Sequence, residues 1–285
     1  MIRIVASGVN PVDWKIREGY LQKLFPHHFP VISGWEAAGV IEATGEGATR
    51  FQRGDAVYAY TRLPEVKWGT YAELIAVPEV MVAPKPKSLL FHEAAAVPLA
   101  GLTAYQDLFR KPGVTQGATV LVHAASGGVG HLAVQFAKNA GATVLGTAGK
   151  NNQGFIKELG VDHAIDYTAG DFRDAVRALY PDGVDVVVDC VGGEVTKKSF
   201  DVVKKGGRLV SCVDTPDKEE AERRGVTAYF HFVEPNVEEL TQIGALIDEG
   251  KVRPYVSTIY SLGDGAKAHI QSREGRTRGK AVLVL

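Results

Sequence analysis

The stretch Ala118–Gly130, ATVLVHAASGGVG, decides the fold of this chain, because it runs from a strand through a glycine turn into a helix. The apolar, β-branched run Thr119–Val122 is typical of a parallel strand that is covered on both faces. Apolar residues then recur at helical spacing from Val129 to Ala140. Glycines permit tight turns, and a helix N-terminus attracts negative charge, so the stretch predicts a cradle for a dinucleotide pyrophosphate.

The turn glycines Gly127, Gly128 and Gly130 have the spacing GGxG, which is a weak signal by itself. A chain that prefers NAD usually carries Asp or Glu at the end of the next strand, where it binds the ribose 2′-hydroxyl. Here residues 146–150 read GTAGK. Because no carboxylate would repel a 2′-phosphate and Lys150 supplies a cation, we predict NADPH as the cofactor. The alternative is that Lys150 only solvates a loop.

Composition is that of an ordinary globular enzyme. The 285 residues are 45% hydrophobic and carry a formal net charge of −1, so neither nucleic acid nor an anionic membrane is an expected partner. No apolar run approaches the ~20 residues needed to span a bilayer, and no signal peptide is evident, so we expect a cytoplasmic protein. The two cysteines, Cys190 and Cys212, lie at the ends of predicted strands and are interpreted as small buried thiols; a structural disulfide is not expected.

Short β-branched runs alternate with helical patterns between about Thr103 and Pro254, which predicts parallel βαβ units. The predicted strands are Thr119–His123, Thr143–Thr147, His163–Asp166, Val184–Asp189, Arg208–Val213 and Val226–Phe232. The predicted helices are Gln153–Leu159, Asp171–Leu179, Thr196–Val203 and Glu238–Glu249. Six such strands suffice for a doubly wound dinucleotide-binding sheet.

The first hundred residues read as a compact, β-rich, barrel-like domain. The predicted strands there are Ile2–Val5, Gly39–Ala43, Asp55–Ala59 and Tyr71–Val77. The chain ends in a further apolar strand, Lys280–Leu285, which we expect to return to this first domain. The cofactor domain would then be inserted between two parts of the catalytic domain.

Several separated blocks resemble the quinone oxidoreductase and alkenal/enone reductase branch of the medium-chain dehydrogenase/reductase superfamily. They are GVNPVDWKIREG (8–19), GWEAAGVIEATGEGATRFQRGDAVYA (34–59), GTYAELIAVPE (69–79), PLAGLTAYQDL (98–108), AASGGVG (124–130) and the terminal GKAVLVL. The resemblance implies an α/β fold in which a Rossmann doubly wound parallel sheet is inserted into a GroES-like β-rich barrel domain. We assign residues 98–254 to the Rossmann domain and residues 1–97 and 255–285 to the GroES-like domain. It also implies NADPH dependence and homodimers formed through the Rossmann domain.

Two departures from the superfamily pattern matter. Zinc-dependent members carry a cysteine near the position of Asn10 and a histidine before the glutamate of a GHE motif, but this chain has no cysteine before Cys190 and reads Gly34-Trp35-Glu36. We therefore expect no catalytic zinc. Family members also begin about thirty residues earlier, so we expect either a truncated N-terminus or an incomplete barrel.

A site without zinc must polarise its substrate by hydrogen bonds, which suits a quinone or an α,β-unsaturated carbonyl. By resemblance, the segment after the first strand faces the nicotinamide. Within it, Lys15 is the best candidate for oxyanion stabilisation, although an exposed lysine is nearly as good an interpretation. Asn10 is a second donor. Tyr20 is a weaker one, since it could simply line the pocket. Asp13 could orient Lys15 or cap a helix that begins at Trp14.

The glycine turn, Lys150 and the resemblance together give a set of predicted cofactor contacts. They are Thr103, Ser126, Gly127, Gly128, Val129, Gly130, Thr147, Lys150, Tyr167, Val191, Val213, Phe232, Val233, Arg278 and Lys280. The apolar members at strand ends are equally explained as core. The leading hypothesis is an NADPH-dependent, zinc-independent oxidoreductase acting on a small quinone or enone. The alternative is an NADPH-binding sensor or structural protein with little turnover, since a fold does not determine a function.

Overall fold

Two units make up the described part of the chain. The structure is a computed structural model that describes residues 1–111 and 113–285. One unit consists of Met1–Leu102 and Glu234–Leu285, and the other consists of Thr103–Val233. In the described part of the chain, no helix is both long and apolar enough to cross a bilayer.

Thirteen strands and ten α-helices occur in the described residues. The strands are β1 (Ile2–Val9), β2 (Glu36–Ile41), β3 (Ala56–Tyr60), β4 (Leu74–Ile75), β5 (Val82–Pro84), β6 (Thr119–Val122), β7 (Thr143–Ala148), β8 (His163–Asp166), β9 (Val184–Asp189), β10 (Val203–Ser211), β11 (Thr227–Phe230), β12 (Val256–Ser261) and β13 (Lys280–Val284). The helices are α1 (Pro11–Arg17), α2 (Phe91–Ala94), α3 (Pro98–Phe109), α4 (Gly130–Asn139), α5 (Gln153–Glu158), α6 (Phe172–Leu179), α7 (Glu194–Ser199), α8 (Lys218–Arg224), α9 (Val237–Asp248) and α10 (Gly265–Glu274).

The first unit is built on one sheet with the order β12-β13-β1-β2-β3-β5, and β4 also pairs with β1. Strand β13 runs antiparallel to β1, with Ala6 opposite Val284, so the end of the chain pairs with its beginning as expected. Alternate residues of β1 to β5 point inward because side chains on a strand alternate between faces. Their core includes Ile2, Ile4, Ala37, Ile41, Val57, Ala59, Ile75 and Val82.

The second unit is the predicted doubly wound parallel sheet, with the order β11-β10-β9-β6-β7-β8. All of its strand pairs are parallel. Both faces are covered, which explains why Val120, Leu121 and Val122 are consecutive and fully buried. The predicted fold class is confirmed. In such sheets, ligands bind outside the carboxyl ends of the strands.

The described structure differs from the expected division in two places, residues 98–102 and residues 234–254, which both belong to the first unit. The Tyr58 hydroxyl donates to the Leu240 carbonyl at 2.6 Å, and the Asp248 carboxylate accepts from both the amide and the hydroxyl of Ser88. These contacts hold α9 against its own unit. The predicted strand Tyr71–Val77 shortens to the two residues of β4, while β10 begins five residues before the predicted Arg208.

Candidate functional site

The glycine turn connects the end of β6 to the start of α4. Gly127 donates its amide to the Ala124 carbonyl at 2.8 Å, and Ala124 adopts a positive φ of 52°. A Cβ atom at Gly130 would lie 2.1 Å from the Ala124 oxygen, whereas one at Gly127 would lie 3.2 Å away. Only glycine therefore fits at position 130, where the start of the helix packs directly against the backbone of Ala124. Close packing of this kind is typical of glycine turns that bind a pyrophosphate.

The other predicted residues of this turn surround the start of the helix. Ser126, Gly128 and Val129 are half-buried, and Gly130 is buried. This geometry fits a bound dinucleotide phosphate, because unpaired amide groups at a helix N-terminus attract anions.

A buried histidine behind the turn was not selected from the sequence. His123 Nδ1 lies 3.1 Å from Thr147 Oγ1, and His123 Nε2 lies 3.0 Å from Ser199 Oγ. The Ala124 and Ala125 amides donate to Thr147 at 3.3 Å and 2.9 Å. Burial lowers the pKa of His123 to about 4, so the imidazole is neutral at physiological pH. Thr147, a predicted cofactor contact, thus connects β7 to the glycine turn.

Two predicted contacts meet at the carboxyl ends of β7 and β8. Lys150 and Tyr167 are both exposed. A Cβ atom at Gly149 would be 3.4 Å from the Tyr167 hydroxyl, which places that hydroxyl beside the loop that carries Lys150. The nearby Asp166 carboxylate accepts from the amide and hydroxyl of Thr168. These hydrogen bonds, with the charge of Lys150, hold the pKa of Asp166 below its usual value.

The loops after β9 and β10 carry the predicted contacts Val191 and Val213. Asp189 Oδ1 accepts from the Val191 amide at 2.9 Å and from the Gly192 amide at 3.1 Å. The Gly193 amide donates to Asp214 at 2.5 Å, so the two loops are in contact. Val191 is exposed and Val213 is half-buried.

The remaining predicted contacts have different degrees of exposure. Phe232 and Arg278 are half-buried, while Thr103 and Val233 are buried. Their contacts with a cofactor stay predictions.

In the first unit, three charged or polar side chains from distant parts of the sequence form a buried cluster. Lys280 Nζ donates to Asn10 Oδ1 at 2.5 Å, to Glu36 Oε1 at 2.7 Å and to the Val9 carbonyl at 2.9 Å. Asn10 Nδ2 also donates to Glu36 Oε1 at 2.7 Å. The ammonium group of Lys280 thus has three buried acceptors, and the Asn10 amide is held by this ion pair.

Asp13 extends the cluster. Its Oδ2 accepts from the Asn10 amide at 2.8 Å and from the Tyr71 hydroxyl at 3.0 Å, while its buried Oδ1 has no hydrogen-bond partner. Burial raises the pKa of Asp13 to about 7, against the lowering effect of these hydrogen bonds and of Lys280. Asp13 therefore takes part in capping, but as the third residue of α1, bonding back to the N-cap residue Asn10; the helix begins at Pro11 and not at Trp14 as expected.

The predicted donors Lys15 and Tyr20 flank Trp14. The Lys15 ammonium lies 5.8 Å from the centroid of the Trp14 ring, and the Tyr20 ring meets Trp14 edge-on at a centroid distance of 6.1 Å. Lys15 is half-buried and Tyr20 is 66% exposed. Lys15 lies on α1 and Tyr20 lies just after it, whereas Asn10 is buried at the start of that helix.

Comparisons with known proteins identify the family of this chain. Residues 1–87 match the family described as alcohol dehydrogenase GroES-like domain, and residues 159–283 match the family described as zinc-binding dehydrogenase. The 2-methylene-furan-3-one reductase of Solanum lycopersicum is 37% identical over 296 residues, which cover 99% of this chain and 71% of that protein. The chain belongs to the medium-chain dehydrogenase/reductase superfamily.

Solved structures of this superfamily share the fold over the full chain. The quinone oxidoreductase from Coxiella burnetii is 34% identical with a TM-score of 0.86, and the alignment covers 100% of this chain and 89% of that one. A protein described as NAD-dependent alcohol dehydrogenase is 33% identical with a TM-score of 0.91, covering 100% and 91%. The predicted family is confirmed, and its members bind a nicotinamide cofactor.

The superfamily's catalytic zinc does not fit the residues found here. The position expected for a cysteine ligand is near Asn10, which is buried in the ion-pair cluster, and the position expected for histidine is Trp35, whose ring packs edge-on against Phe25. Neither amide nor indole is an ordinary zinc ligand. Within residues 1–111 and 113–285, no group of three or more His, Cys, Asp or Glu side chains is arranged to hold a metal ion.

Proposed function

We propose that this protein is an NADPH-dependent oxidoreductase that transfers a hydride to a quinone or an α,β-unsaturated carbonyl without zinc. The observation that carries the cofactor assignment is the end of β7. The exposed Lys150 follows the strand there, the Tyr167 hydroxyl lies beside the same loop, and residues 146–150 contain no carboxylate. A 2′-phosphate would gain a cation at this position and meet no repelling carboxylate in that loop.

The bound cofactor would supply the hydride, and the protein would supply orientation and electrostatics. The backbone amides of the glycine turn would hold the pyrophosphate. The neutral His123 keeps Thr147 fixed against the first residues of that turn. Asp189 fixes the loop that carries Val191 through two backbone amides. These residues position backbone groups, so they would matter for either nicotinamide cofactor.

The proposed substrate class rests on how a site without zinc ligands can stabilise charge, namely by hydrogen bonds. Reduction of a conjugated carbonyl places negative charge on one oxygen, and one or two hydrogen-bond donors can stabilise that charge. Lys15 is the proposed donor, because Asn10 is already bound by Glu36 and Lys280. The names of the Coxiella and tomato relatives, a quinone oxidoreductase and a furanone reductase, support the same two substrate classes.

A substrate panel tests the proposal. The purified protein is mixed with NADPH or NADH and with a set of quinones, enals and enones, and the nicotinamide absorbance is followed in the presence of a chelator. We expect turnover with NADPH on at least one conjugated acceptor and no loss of activity in the chelator. Tight NADPH binding without turnover on any acceptor would instead favour a sensor.

The cofactor assignment has its own test. Lys150→Ala should weaken NADPH by about tenfold to a hundredfold, because charge-assisted hydrogen bonds contribute ~1.5–3 kcal/mol, and should leave NADH unchanged. Lys157→Ala is the matched control, since Lys157 is an exposed lysine on the following helix α5. Equal affinities of the wild-type protein for NADPH and NADH would contradict the assignment.

A further inference from the structure

Two cysteines and a histidine lie side by side at the carboxyl edge of the parallel sheet. Asp189, Ser211 and Phe230 are paired positions on β9, β10 and β11. The ladder continues one residue further, because the Cys212 amide donates to the Asp189 carbonyl and the His231 amide donates to the Ser211 carbonyl. Since side chains alternate between faces, we expect the next positions, Cys190, Cys212 and His231, to share one face of the sheet.

The spacing of the two thiols suits a disulfide. Neighbouring strands lie ~4.8 Å apart, and disulfides join Cα atoms that are ~4.4–6.8 Å apart. Both cysteines are free and half-buried. The Cys212 thiol also lies 3.7 Å from the Asp189 carbonyl. The chain contains no other cysteine.

Charged groups around the pair restrain its reactivity. His231 Nδ1 lies 2.5 Å from Asp107 Oδ1, and Asp107 comes from α3 and is fully buried. The neighbouring Cys212 thiol, burial and the negative charges of Asp107 and Asp189 raise the pKa of the Cys190 thiol well above its ordinary value. The thiolate is the reactive form, so Cys190 should react slowly at neutral pH and faster at alkaline pH.

We propose that Cys190 and Cys212 form a reversible redox switch that closes to an intramolecular disulfide and thereby weakens cofactor binding. A peroxide is the oxidant. One thiolate attacks a peroxide oxygen, the O–O bond breaks, and a sulfenic acid and one water result; the second thiol then attacks the sulfenic sulfur, the S–S bond forms and a second water leaves. Two thiols lose two electrons and two protons in total, and one peroxide is reduced.

The effect on cofactor binding rests on the proposed function. Val191 and Val213 directly follow the two cysteines, and both are predicted cofactor contacts at the edge where doubly wound sheets bind ligands. The loops that carry them already touch through Gly193 and Asp214. A covalent bond between Cys190 and Cys212 would fix both loops in one arrangement.

The test uses the full-length protein, hydrogen peroxide and dithiothreitol. Peroxide should lower the number of free thiols per chain from two to none and the mass by two hydrogens, and dithiothreitol should reverse both changes. A non-reducing gel should show no disulfide-linked dimer. Disulfide formation should be faster at pH 9 than at pH 7. NADPH affinity, followed by fluorescence titration, should fall by about tenfold in the oxidised protein, which is within the usual range of coupling between sites.

Cys190→Ser and Cys212→Ser are the matched controls, and each should keep its NADPH affinity after the same treatment. Oxygen adducts on separate cysteines, or a disulfide that leaves NADPH affinity unchanged, would overturn the switch. If the reduced protein does not bind NADPH but still forms the reversible disulfide, the cofactor proposal is wrong, whereas the proposed pairing of Cys190 with Cys212 is correct.

Discussion

At the scale of single residues, the buried carboxyl group of Asp13 is the most unusual feature of the first unit. Its Oδ2 has two donors and its Oδ1 has none, so one oxygen is anchored and the other is suited to carry a proton. Burial raises its pKa from 3.8 to about 7 although Lys280 acts in the opposite direction. The unfolded chain therefore loses this proton at a lower pH than the folded chain does.

This difference predicts a pH dependence of stability. Between pH 4 and 7 the folded state holds more protons than the unfolded state, so its free energy of unfolding should fall by up to about 4 kcal/mol as the pH rises. Asp13→Asn preserves an anchored oxygen and cannot ionise, so its stability curve should be flatter over this range. Chemical denaturation of both proteins at pH 4.5, 6 and 7.5 measures the difference. Parallel curves would contradict the assignment of this pKa.

Lys15 permits a second prediction at the same scale. If its ammonium stabilises the oxyanion, Lys15→Ala should lower turnover on an enone by ~10²–10³, the usual cost of losing one such donor, and leave NADPH affinity unchanged. A quinone should be affected less, because its reduced ring delocalises the charge. The exposed Lys23 provides the control variant, Lys23→Ala. An unchanged rate on enones would mean that Lys15 is only a surface residue.

At the scale of elements, the β6–turn–α4 segment depends on glycine at one position more than at another. Gly130→Ala would place a Cβ 2.1 Å from the Ala124 oxygen, whereas the same change at Gly127 gives 3.2 Å. We expect Gly130→Ala to lower both the melting temperature and NADPH affinity strongly, and Gly127→Ala to do so weakly.

Gly154→Ala is the control for the glycine series, because its Cβ would meet nothing within 4 Å in helix α5. It should be neutral or stabilise by ~0.5–1 kcal/mol, since alanine is the better helix former. Thermal unfolding and NADPH titration measure all three variants. Similar losses in Gly130→Ala and Gly127→Ala would show that the close approach to Ala124 is unimportant.

At the scale of the whole molecule, the first unit is closed by contacts between the two ends of the chain. Strand β13 pairs with β1, and Lys280 on β13 binds Asn10 and Glu36. Lys280 is 3% exposed and Glu36 is fully buried, so neither charge can find water if its partner is removed. Loss of one partner should therefore cost more than loss of both.

This closure predicts a coupling that unfolding experiments can measure. Lys280→Met should destabilise the protein by ~3–5 kcal/mol, and adding Glu36→Gln should restore part of that loss. Lys251→Met, in an exposed ion pair with Glu249, should change stability by less than about 0.5 kcal/mol. A Lys280→Met variant of normal stability but with weak NADPH binding would support the predicted cofactor contact in place of this structural role.

The sequence alone was sufficient for features that depend on neighbouring residues. The strand, the glycine turn and the helix of Ala118–Gly130 are contiguous, and the six predicted parallel strands are all present because each contains a short local run with β-branched residues. The absence of a carboxylate at the end of β7 can likewise be read from residues 146–150 alone. The boundary between the two units could not be predicted as well from the sequence, since α9 packs against a residue of β3 that is 182 positions away.

Only the tertiary structure decided which distant polar groups meet. Lys280 and Glu36 are 244 positions apart, so no local pattern indicates that they form one buried ion pair. Nor does any local pattern indicate that both residues form hydrogen bonds with the side-chain amide of Asn10. Cys190, Cys212 and His231 likewise follow three different strands, and their adjacency depends on strand order and register. The physical reason is that hydrophobic periodicity determines which face of an element is buried, while the pairing of buried charges and thiols is determined by how those elements pack.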